Sequence, residues 1–133
     1  MRAIVFVLFA TAAMPCVAQT YRTVAVTHPA TLEYTKAGVT TTGKAMITTG
    51  IYDSRFALRF SDSRGDTLVD VRDYGDTATI AGRLIPHSWS GRLKDAPADL
   101  RGWLSVRELF VRQVHTRVVR RRLGSESWKL FFL

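Results

Sequence analysis

The sequence predicts an α+β protein, a curved antiparallel sheet of half-barrel-like meander with one main helix packed on its apolar face, behind an N-terminal signal peptide. Three observations lead there. Residues 54–84 alternate apolar and polar side chains, with turn-forming residues between the runs. Residues 97–111 space their apolar side chains at helical intervals. The opening residues carry the three parts of an export signal.

That signal is Met1-Arg2, then an apolar run from Ala3, then a small-residue exit ending at Ala18. The run is shorter than the roughly 20 residues needed to span a bilayer as a helix. Cleavage after Ala18 removes residues 1–18 and leaves 19–133 as a single β-rich domain, of a size that suits one core. Cys16 raises the alternative of a lipid anchor. A lipobox, however, asks for a Leu-like residue and a small residue where this chain has Ala13 and Pro15, so a soluble periplasmic or secreted protein is expected.

The strands follow in order. Residues 22–26 and 31–36 read as two weak strands interrupted by His28-Pro29, and residues 43–49 as a third, with Ala45 and Ile47 on one side. Phe56, Leu58 and Phe60 share one face of the next strand. Residues 61–66 supply a turn, residues 67–72 a strand with Val69 and Val71 inward, and residues 73–76 a second turn. Residues 77–84 complete the meander with Ala78, Ile80 and Leu84 on the apolar face.

Residues 85–97 contain two prolines and a glycine and read as a loop. A helix then enters at Pro97, with Asp95 or Asp99 as candidate cap, and carries Leu100, Trp103, Leu104, Phe110 and Val111 in one stripe. Two readings fit the C-terminal segment. The helix continues to a cap at Gly124, or it ends near Arg112 and residues 114–123 and 126–132 form a hairpin around Gly124. The β-branched Val114, Thr116, Val118 and Val119, and the alternation of Trp128, Leu130 and Phe132, favour the hairpin.

Composition narrows the chemistry. Without Cys16 the mature chain has no cysteine, which excludes disulfides, thiol catalysis and thiolate metal sites. His28, His87 and His115 lack metal-ligand spacing, and no cofactor or metal is expected. Trp89-Ser90-Gly91 near His87 is no nucleophile elbow, so the chain reads as non-enzymatic. Asp62, Asp66, Asp70, Asp73 and Asp76 do not match a calcium loop and are expected to pair with Arg55, Arg59, Arg64 and Arg72 across strands. Arg64-Gly65-Asp66 spells an adhesive tripeptide but also suits a plain turn.

The formal net charge is +8, and it is unevenly placed. Residues 19–99 hold ten basic and nine acidic side chains, whereas residues 100–133 hold eight basic and two acidic. Arg117, Arg120, Arg121 and Arg122, with Lys129 across the hairpin, form the one basic run. Arginine forks suit phosphate and carboxylate groups, and export points to anionic lipid or glycan rather than nucleic acid. A charged edge strand guarded against aggregation is the plainer account of the same run.

The stretch Phe56-Ala57-Leu58-Arg59-Phe60, a turn, then Gly65, Leu68 and Val69 resembles the sheet pattern of the periplasmic lipoprotein carrier and receptor family (LolA and LolB), over perhaps a third of the chain. The mature chain is shorter than members of that family and shares no diagnostic motif with them. The resemblance implies an open half-barrel that shelters acyl chains. On that expectation Phe56, Leu58, Phe60, Val69, Val71, Ile80 and Leu84 line an apolar ligand face, Trp103 and Phe110 cover it, and Arg117, Arg120, Arg121, Arg122 and Lys129 hold an anionic headgroup. The partner is then a lipid or lipid-modified envelope molecule. The alternative is a structural or adhesion-type module that docks on anionic glycan or a partner protein through the basic C-terminal surface. A fragment of an outer-membrane barrel, prompted by Leu130-Phe131-Phe132-Leu133, asks for at least eight strands of about ten residues, which the chain barely supplies.

Overall fold

The computed structural model describes residues 25–50, 54–113 and 117–133. The expected signal peptide, Cys16, residues 22–24, and Val114, His115 and Thr116 lie outside the described residues.

Among the described residues, eight strands form one open antiparallel sheet: β1 (Ala25–Lys36), β2 (Val39–Gly50), β3 (Phe56–Ser61), β4 (Thr67–Asp73), β5 (Thr77–Ala81), β6 (Trp89–Arg92), β7 (Val118–Leu123) and β8 (Glu126–Phe132). Their spatial order is β6-β5-β4-β3-β2-β1-β8-β7, so β6 and β7 are the two edges. The chain winds outward from β1 to β6, crosses one face as helix, and returns as the β7–β8 hairpin beside β1.

The expected break at His28-Pro29 does not occur. β1 runs through both residues, and Pro29 lies opposite Met46 of β2. Hydrogen-bond geometry explains it. Ala37 and Gly38 both have positive φ, 50° and 82°, as a two-residue hairpin turn requires. The pair Lys36–Val39 that closes this turn is hydrogen-bonded, and such pairs recur at every second residue. Pro29 falls on the intervening set, so its missing N–H faces away from β2 and interrupts no β1–β2 hydrogen bond, while its carbonyl accepts the Leu133 N–H at 3.5 Å.

The meander of β3, β4 and β5 forms as the alternation predicts, but the third strand stops at Ala81 rather than Leu84. Gly82 turns the chain at φ 142°, and a Cβ there would sit 2.2 Å from the Leu68 carbonyl oxygen. The expected loop of residues 85–97 contains the short edge strand β6 and a 3-10 turn at Leu93–Asp95. Trp-Ser-Gly-Arg shows no apolar alternation, because an edge strand of four residues needs none.

The helix is interrupted. A 3-10 turn (Ala98–Leu100) leads into α1 (Arg101–Leu104), and α2 (Val106–Gln113) follows after Ser105. Neither Asp95 nor Asp99 caps a helix start: Pro97, which has no N–H to satisfy, precedes the turn, and Asp99 faces His87 at 3.7 Å. The Ser105 hydroxyl donates to the Gly102 carbonyl at 2.8 Å, closing the first helix. This break shifts the helical phase, so Val106 and Leu109 are buried and Val111, expected in the stripe, is 64% exposed. The hairpin reading of the last segment holds over Val118–Leu123 and Glu126–Phe132, with Gly124 at φ 60° in its turn; the strand begins at Val118, and residues 114–116 lie outside the described residues.

Candidate functional site

The sheet face that carries Leu32, Ile47, Leu58, Phe60, Val69 and Ile80 meets Leu100, Trp103, Val106 and Phe110 from the helices. All the expected apolar-face residues lie in this cluster. Phe56, Leu58, Phe60, Val69, Val71, Ile80, Trp103 and Phe110 are buried, and Leu84 is partly buried against them. Leu58, Phe60 and Val69 are 0% exposed, so no water-sized space touches them. Burial of one such side chain is worth about 1.5–3 kcal/mol, enough to fix the helices on the sheet. Trp103 anchors one end, with ring centres 4.7 Å from Tyr34, 6.2 Å from Phe60 and 5.6 Å from Trp128. Phe110 anchors the other, 6.0 Å from Phe56 and 5.8 Å from Phe132. Gly102 lets α1 sit directly on Trp128, whose ring would be 2.3 Å from a Cβ at that position.

The basic run takes shape at the β7 edge. Register places Arg120 opposite Lys129, Arg121 opposite Trp128 and Arg122 opposite Ser127. Period-two alternation puts Arg120, Arg122 and Lys129 on the outer face, and Arg121 on the helix-covered side. These four, with Ser127 and Trp128, line one open depression of about 250 Å³. Arg117 lies just before β7 and does not line it; its carbonyl accepts the Phe132 N–H at 2.7 Å. Among the described residues no carboxylate pairs with Arg117, Arg120, Arg121, Arg122 or Lys129, and Lys129 Nζ instead sits 5.7 Å from the centre of the Phe131 ring. Glu33 lies opposite Lys129 in the register but forms no ion pair with it.

The nearby Glu126 carboxylate is engaged elsewhere. It accepts the Tyr34 hydroxyl at 2.6 Å. Burial, then the hydrogen bond and negative charge of Glu126, push the Tyr34 phenol well above its ordinary range, opposed only by a hydrogen bond from Trp103. Under the same hairpin Trp128 Nε1 is the one fully buried side-chain polar atom without a hydrogen-bond partner among the described residues.

The acids of the meander pair differently from expectation. Arg83, in the loop after β5, reaches Asp62 at 2.8 Å and Asp66 at 3.3 Å. Arg72 meets Asp70 of its own strand at 3.7 Å, and the buried Asp73 meets Arg107 of α2 at 3.4 Å. The Arg64-Gly65-Asp66 tripeptide is a turn closed by Asp62, which accepts the Arg64 and Asp66 N–H groups at 2.9 and 3.0 Å. Asp73 also accepts the Gly75 N–H at 2.7 Å and borders a second open depression, of about 450 Å³, with Arg101, Arg107 and Glu108. The sequence reading missed this pair. The available sign was the alternation Val69, Val71, Asp73, which places a carboxylate on the inward face.

Among the described residues no three His, Cys, Asp or Glu side chains are grouped to hold a metal ion, and no helix is long and apolar enough to cross a membrane. No protein-family model matches the chain, and no curated protein matches it.

Proposed function

We propose that the mature chain is an exported, non-catalytic envelope module that docks on an anionic partner through the basic β7–β8 edge. The observation that carries the proposal is the set of basic side chains at one sheet edge with no carboxylate partner. An unpaired guanidinium retains its full capacity for forked hydrogen bonds to a phosphate or carboxylate. The acyl-carrier alternative has less support. An acyl chain needs room on the apolar face, and entry there would require the Trp103 and Phe110 anchors to lift from residues that are fully shielded.

The test is a charge-reversed Arg120→Glu, Arg121→Glu, Arg122→Glu variant of residues 19–133, titrated with heparin and with phosphatidylglycerol vesicles. Arg120 and Arg122 are exposed and Arg121 is half-buried, and none of the three is ion-paired among the described residues, so the variant should keep its circular dichroism and most of its unfolding midpoint. Its affinity for the polyanions should fall by at least about tenfold, and wild-type binding should weaken steeply as salt rises. A folded variant that binds both probes as well as wild type defeats the proposal.

A further inference from the structure

The β7 edge offers more than charge. The Phe132 N–H bond to the Arg117 carbonyl fixes the phase of the β7–β8 ladder. Hydrogen-bonded pairs alternate along an antiparallel ladder, so those after Arg117–Phe132 are Val119–Leu130, Arg121–Trp128 and Leu123–Glu126. The backbone N–H and C=O groups of Arg120 and Arg122 therefore point away from β8, into the open edge. No described residue hydrogen-bonds them, and the strand has neither proline nor bulge to close the edge. The opposite edge, β6, has only four residues and runs directly into a 3-10 turn.

Two kinds of unmet capacity thus coincide at Arg120 and Arg122: free strand amides and unpaired guanidinium groups. Arg121 adds a positive charge on the opposite face. A second copy of β7 brought alongside would set arginine against arginine, which disfavours self-pairing. A strand with acids on both faces meets complementary charge at Arg120, Arg121 and Arg122.

We propose that β7 accepts an extended acidic segment of a partner protein, which adds to the sheet as a ninth strand. This deepens the anion-docking reading above and rests on it. A lipid or glycan surface would meet the same arginines but would not need the alternate amides.

The probe is a capped peptide of about eight residues built from glutamate, threonine and valine, long enough to cover β7. It is compared with the same peptide N-methylated at alternate amides, with heparin, and with phosphatidylglycerol vesicles. The unmodified peptide should bind, and its binding should slow amide hydrogen exchange at Arg120 and Arg122. N-methylation should cost about tenfold or more in affinity. Heparin and vesicles should bind without slowing those two amides.

On the protein side, Arg120→Pro and Arg120→Ala both remove the guanidinium, but only the proline removes the outward N–H. An outward edge position tolerates proline. The proline variant should bind the peptide about tenfold more weakly than the alanine variant while the two bind heparin alike. Equal binding of the N-methylated peptide, or unslowed exchange at Arg120 and Arg122, overturns the ninth strand and leaves the anion site standing. Failure of peptide, heparin and vesicles together removes the anion site and this inference with it.

Discussion

At the β3–β4 turn, Arg83 reaches two carboxylates, Asp62 at 2.8 Å and Asp66 at 3.3 Å, and beneath the neighbouring β4–β5 turn Arg107 meets the buried Asp73. At the far side of the same sheet, Arg117, Arg120, Arg121, Arg122 and Lys129 meet no carboxylate among the described residues. The residue types are the same and their employment differs. In the meander, charge closes turns and ties α2 to the sheet. On β7, charge is left without a carboxylate, so its free energy is available to a partner instead of to the fold.

Deleting one charge from each region and measuring stability separates employed charge from available charge. Asp73→Ala leaves the Gly75 N–H and the Arg107 guanidinium, both only part-buried, without their acceptor, which should cost about 1–2 kcal/mol. Arg121→Ala, although its neighbour Trp128 is buried, should stay within about 0.5 kcal/mol of wild type. Urea unfolding midpoints, read with unchanged slopes, decide between them. Equal losses would mean that the basic edge is structural after all.

Tyr34 brings an employed acid to the basic hairpin itself. Its hydroxyl ties β1 to Glu126 at the start of β8, so the one acid at the base of the basic hairpin is already committed. Because its pKa is raised above 10.0, the folded state holds the phenol proton after the unfolded chain has begun to release it. That stability is complete below pH 10.0 and is lost as pH rises beyond it. The gap in unfolding free energy between wild type and Tyr34→Phe should therefore be widest near neutral pH and narrow in alkali. A gap that stays constant with pH would show that the Tyr34–Glu126 bond contributes nothing specific.

Much of this arrangement was legible in the sequence because it follows from period-two alternation. Phe56, Leu58 and Phe60, then Val69 and Val71, declare their face without any tertiary information. The hairpin of Val118 and Trp128 was legible because β-branched and aromatic residues resist a helix there. What failed depended on context beyond the local alternation. Pro29 is tolerated because it falls on the β1 positions whose N–H faces away from β2, Val111 is exposed because Ser105 resets the helix, and β6 forms because β5 offers an edge. The basic site was visible as a run of arginines. Its availability was not, since the carboxylates that could have neutralised it are distributed by the fold, Asp62 and Asp66 to Arg83 and Asp73 to Arg107.

The smallest expected effect belongs to Arg83, whose guanidinium is exposed and bridges the two acids of the β3–β4 turn. Slight desolvation of Asp62 would raise its carboxyl, but the N–H groups of Asp66 and Arg64 and the Arg83 charge outweigh this and hold it below its ordinary 3.8. A carboxyl lowered by folding stabilises the protein above its unfolded pKa, and that contribution is lost as pH falls through the folded value. Arg83→Ala should thus lower the thermal midpoint slightly at neutral pH, and the difference from wild type should shrink in acid below 3.8 and in high salt. The two turn amides remain on Asp62 in the variant, so the turn itself should persist. A loss as large as that of Asp73→Ala would place the solvent-facing charges of the meander among its structural members, and the boundary between employed and available charge would then follow ion pairing alone, independent of burial.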